Sequence, residues 1–129
     1  MVAGSTTLHE RSEALDPKTI DRHRAIVSLM EELEAVDWYA QRAEATDDPE
    51  LRAILEHNRD EEKEHASMVL EWLRRNDAKL DDHLRTYLYS EGDIAHLEQE
   101  VEQGGNPGGT ASAGDGCLDI GSLRQGGSE

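Results

Sequence analysis

Apolar residues in the first half of the chain fall at helical intervals. Ile26, Leu29, Leu33, Val36, Ala40 and Ala43 recur at spacings of 3, 4, 3, 4 and 3, which predicts an amphipathic helix of roughly eight turns. "LDPKTI" supplies its start, with Asp16 as N-cap, Pro17 as first helical residue and Leu15 placed to staple onto Ile20. "TDDPE" (46–50) breaks the pattern and opens a second helix through Asp48 and Pro49. Leu51, Leu55, Asn58, Glu62, His65, Val69 and Trp72 then recur at 4, 3, 4, 3, 4 and 3. That helix is expected to reach at least Asn76 and, with a bend, Leu88. "SEG" at 90–92 interrupts, and "DIAHLEQEVEQ" (93–103) predicts a short third helix.

The expected fold is all-α. Two long helices joined by about three residues lie antiparallel, forming a hairpin with one apolar face. Neither the short third helix nor residues 1–15, which are polar and expected to be loosely ordered, cover that face. Dimerisation into a four-helix bundle is the simplest solution. The helical domain is therefore read as residues 16–103. From 104 to 116, "GGNPGGTASAGDG" carries six glycines in thirteen residues and reads as a flexible linker. Beyond it, residues 117–129 bring back Leu118, Ile120 and Leu123. A tether ending in a small apolar peptide has the form either of a docking tag or of an ordinary frayed tail.

Composition narrows the function. The chain has 129 residues, 33% charged and without Phe, so one small domain with a thin core is expected to bury surface against a partner. A net charge of −16 suits cations and argues against nucleic acid and anionic membrane. No apolar run exceeds three residues, so neither a membrane span nor a signal-peptide core is expected. The single cysteine, Cys117, excludes an internal disulfide and fits a reducing compartment, the cytoplasm by default.

Two charged positions interrupt the apolar stripes. Glu62 and His65 stand three apart, one helical turn, between Leu55 and Val69. Along Ala25, Leu29, Glu32, Val36 and Tyr39, Glu32 is the charged member of a mostly apolar row. A carboxylate on a buried face must be paired, protonated or metal-bound. Residues 32 and 62 are equidistant from residue 47 in the expected turn, each about 22 Å away along its helix. They therefore fall at one height on adjacent helices. A complete dinuclear site in a helical bundle takes four carboxylates and two histidines. One chain supplies half of that set and a twofold copy supplies the rest. Carboxylates bridge and neutralise two metal ions, and imidazole suits Fe²⁺.

An isolated Glu-x-x-His in an acidic helix is a weak signal; its place in the stripe and the matching height of Glu32 strengthen it. Glu61, four before His65, remains an alternative to Glu62. Glu31 and Glu34 flank Glu32 and form either an acidic uptake site or a solvated face. Tyr39 fits a donor near the metals or a packed core tyrosine, while Trp38 and Trp72 read as interface and core anchors. His9, His23, His57, His83 and His96 lack acidic partners in the same stripe and receive no role.

At these residues the chain resembles the encapsulated ferritins, ferritin-like proteins carried inside encapsulin shells. The resemblance runs over residues 18–104 through "RHRAIVS", "MEELEAVDWY", "HNRDEEKEHA", "LEWLRRNDAK" and "HLRTYL", and resumes at "LDIGSLR", similar to a cargo-loading peptide. It implies a two-helix protomer with a small third helix, paired into a ferritin-like four-helix bundle and then a ring-shaped homodecamer. It implies a ferroxidase centre of two iron ions per dimer interface, with Glu32, Glu62 and His65 as ligands. Glu31 and Glu34 would form the uptake site, with Trp38 and Tyr39 beside the centre. Leu118, Ile120 and Leu123 would dock to the shell wall, where the mineral is stored. Two other readings are a non-catalytic metal-linked assembly protein and a peroxide-scavenging di-iron enzyme of the same bundle type.

Overall fold

The computed structural model describes residues 7–104. The expected docking peptide and nearly all of the linker, 105–129, lie outside the described residues, as do residues 1–6. Among the described residues the secondary structure is entirely helical: α1 (Pro17–Ala45), α2 (Pro49–Arg75), α3 (Ala78–Tyr87) and α4 (Ile94–Gly104), preceded by a short 3₁₀ turn at Ser12–Ala14. No described helix is long and apolar enough to cross a membrane. The chain divides into two compact units, Met1–Leu84 and Arg85–Glu129.

The first unit is built on the expected hairpin. Asp16 caps α1 by accepting from the Lys18 N–H at 2.8 Å, with Pro17 in the first turn. Asp48 caps α2 by accepting from the N–H groups of Glu50 (2.9 Å) and Leu51 (3.4 Å). The turn between them is clasped by Arg52. Its Nε donates to the Ala43 carbonyl at 3.1 Å and its Nη2 to the Thr46 carbonyl at 2.6 Å. These are carbonyls that the end of α1 leaves without helical partners. At the other end of the hairpin, Arg22 Nε donates to the Asn76 carbonyl at 3.0 Å. Two arginines thus tie the helix pair at both ends.

The second helix ends at Arg75, just past its stripe and short of a bent continuation to Leu88. Asn76 leaves helical geometry (φ −111°, ψ 9°), and Asp77 starts α3 by accepting from Lys79 N–H (3.1 Å) and Leu80 N–H (3.0 Å). The expected bend is therefore a break and a new cap, because an Asn-Asp pair offers side-chain partners that compete with the helical ladder. Arg74 spans the break, donating to Glu71 (2.7 Å) and Asp81 (2.6 Å). The helix expected third is thus α4. Asp93 caps it, accepting from Ala95 N–H at 3.0 Å. Between α3 and α4, Tyr89 adopts φ +58° and is fully exposed. Left-handed backbone at an aromatic residue is strained by about 1–3 kcal/mol.

Little of the hairpin is buried. Among the described residues only Ala43, Ala66 and Leu73 form a core, while Ile26, Leu33, Trp38, Ile54 and Met68 are each about half exposed. Small alanines let α1 and α2 approach closely, and the larger side chains of the stripe stay uncovered. The described residues of a single copy leave much of that apolar face uncovered.

Candidate metal centre

Glu32 comes from the middle of α1, and Glu62 and His65 from the middle of α2. Each offers a ligand atom, and these atoms lie within 4.8 Å of one another. His65 Nδ1 is 3.1 Å from Glu62 Oε2 and 3.7 Å from Glu32 Oε2. The hairpin turn at 46–48 sets this register, since it places both glutamates at one height.

Each of the three groups is shifted by the other two. A hydrogen bond with Glu62, then partial burial, pushes the Glu32 carboxyl above the ordinary carboxylate range. Glu62 is held below that range because it accepts from Glu32 and from His65. His65 is raised above the ordinary imidazole value, chiefly by its hydrogen bond to Glu62. These directions favour the protonated form of Glu32 and His65 and the charged form of Glu62. A cation that replaced those protons would meet two hard oxygen donors and a nitrogen donor, which suits iron or manganese. The donor set fits a metal ion.

Other residues fall around this triad. Glu61 turns to His57, whose Nε2 lies 3.0 Å from Glu61 Oε1. His96 likewise has an acidic neighbour, its Nε2 lying 3.5 Å from Glu100. Both are i,i+4 pairs on exposed faces, outside the stripe from which partners were sought. Glu31 and Glu34 are exposed on α1 and outside the triad, although the charge of Glu31 helps to raise Glu32. Trp38 and Tyr39 lie further along α1, Tyr39 about 10 Å from Glu32 along the axis. The Arg42 guanidinium covers both rings, 5.9 Å from the Trp38 centroid and 5.6 Å from that of Tyr39. Arg42 was not anticipated; its spacing of four and three from those aromatics is the signal that would have found it.

A helical hairpin that brings two glutamates and a histidine together has the form of a ferritin-like protein. Residues 7–91 match the EncFtn-like family, and the chain belongs to it. It is 60% identical to an encapsulated ferritin-like protein of Rhodospirillum rubrum, over 96% of this chain and 92% of the relative. A more distant relative is the encapsulin nanocompartment cargo protein EncC of Myxococcus xanthus, 33% identical over 77% of this chain and 81% of that one. The solved structure of protein ne0167 from Nitrosomonas europaea superposes with a TM-score of 0.67 at 57% identity, covering 69% of this chain and 98% of that chain.

Proposed function

We propose that the protein is a ferroxidase that oxidises Fe²⁺ to Fe³⁺ at a di-iron centre shared between two copies, inside an encapsulin shell in the cytoplasm. One observation carries this reading: the Glu32–Glu62–His65 half-site stands in a stripe of apolar side chains that a single copy leaves open. A twofold partner laid on that stripe buries it and brings a second half-site, giving four carboxylates and two imidazoles.

Fe²⁺ is the substrate, and bound iron supplies the electrons that pass to the oxidant. The protein's own residues hold and neutralise the ions. Glu32 and Glu62 bind as carboxylates, and their charge offsets the rising charge as each iron loses an electron. His65 gives up its proton to become a neutral donor. Glu31 and Glu34 serve as an acidic uptake site on the approach. Arg42 holds Trp38 and Tyr39 in place beside the centre. The family relatives named as encapsulin cargo support a shell as destination, and Leu118, Ile120 and Leu123 are the docking side chains. Dimers joining into a ring-shaped decamer complete the assembly.

The test is anaerobic addition of Fe²⁺ followed by oxygen, with oxygen consumption, absorbance and mass followed together. Oxygen uptake in proportion to the iron added, with a ferric product, is expected. Larger assemblies forming without oxygen uptake would make the ions structural links only, and turnover with peroxide alone would make the protein a peroxide scavenger.

A further inference from the structure

The second unit carries its own unmatched surface. On α4, Ile94, Leu97 and Val101 follow one another at spacings of three and four, so they share one helix face. Ile94 is 66% exposed and Val101 53% exposed. Three apolar side chains on an eleven-residue helix cannot bury the ~800 Å² per partner of a stable interface between separate molecules. An occupant held there has to be tethered.

The chain provides one. It continues for twenty-five residues after Gly104, and within them Leu118, Ile120 and Leu123 are the large apolar side chains. The glycine-rich stretch 104–116 has a root-mean-square span of ~20 Å. Val101 and Ile94 lie about 5 and 15 Å back along α4 from Gly104. A peptide on such a tether meets the face at an effective concentration in the millimolar range, enough to populate a contact too small to form between free molecules. Apolar residues match apolar residues in number, and the tether reaches.

We propose that residues 117–124 fold back onto the Ile94–Leu97–Val101 face of their own chain whenever no shell wall is available to them. The apolar docking side chains are then covered before loading, and the shell takes the peptide by exchange rather than by capture of a free tail. This rests on the reading of that peptide as the docking tag, but its test uses no shell, so the two can fail separately.

Cys117 is the sole cysteine and stands at the head of the peptide, which makes it the site for a nitroxide label on the full chain. The labelled protein should show a slow-motion component in its electron paramagnetic resonance spectrum, unchanged on tenfold dilution. That component should vanish in Ile94→Asp with Val101→Asp. It should also vanish in Leu118→Ser with Ile120→Ser and Leu123→Ser, a variant that leaves every helix untouched. A spectrum with only fast motion overturns the proposal. So does a slow component that survives either variant, and one that disappears on dilution assigns the face to a second copy instead.

Discussion

Glu32 of α1 and Glu62 of α2 meet across the helix pair in a carboxyl–carboxylate hydrogen bond, and that bond raises Glu32 while lowering Glu62. Among the described residues, His65 is the cation these two carboxylates meet. Like charges so close are stable only with a proton or a metal ion between them.

Metal uptake should therefore be proton-linked. The attraction between charged His65 and Glu62 is fully present below the unfolded imidazole value of 6.5 and is lost as pH rises through the raised folded value. A metal needs the deprotonated forms, so its affinity should rise with pH across that same interval. Calorimetry in buffers of different ionisation enthalpy should register protons released per ion bound. His65→Ala should remove the upper part of this pH dependence and weaken metal binding by at least ~100-fold, beyond the ~10–100-fold typical of outer-shell changes. Helical circular dichroism should stay unchanged, and ferroxidase turnover should be lost. Turnover at the wild-type rate would take His65 out of the centre.

Association should depend on the uncovered stripe. Leu33 and Met68 are 54% and 58% exposed in the single copy, so Leu33→Glu with Met68→Glu costs the isolated helices little. In an interface each side chain contributes about 1.5–3 kcal/mol, so the dimer dissociation constant should rise at least ~100-fold. Analytical ultracentrifugation reads this directly. Fe²⁺ should shift the wild-type protein to larger species by mass action, and a mass distribution indifferent to both changes would remove the shared site.

Glu31 and Glu34 sit outside the triad. Glu31→Ala with Glu34→Ala should leave the centre able to form and slow its filling by Fe²⁺ in stopped-flow absorbance. The difference should shrink at high salt, where screening shortens the reach of exposed charge. Identical kinetics at low and high salt would return both residues to the role of a solvated face.

Delivery should separate from chemistry. Removal of residues 117–129 should leave oxygen uptake and assembled mass nearly unchanged and abolish co-purification with a shell protein. Encapsulation of the truncated protein, or loss of its oxidase activity, would count against an independent docking tag.

Periodicity and caps were sufficient for the hairpin. The stripes of α1 and α2, Asp16–Pro17 and Asp48–Pro49 define both helices, and the distance from each glutamate to the turn places Glu32 and Glu62 at one height. Such features are local, set by spacing and by side chains bonding their own backbone. Other features depend on which groups meet in space. The sequence allowed the second helix to continue with a bend to Leu88, and the Asp77 cap with the Arg74 bridge to Asp81 marks its end at Arg75. Sequence spacing allowed either Glu61 or Glu62 to join His65. The direction of the side chains decides it, sending Glu61 to His57 and Glu62 to His65. The meeting of Glu32 with Glu62 likewise depends on how closely the two helices pack, with Ala43 and Ala66 buried, and not on any local spacing.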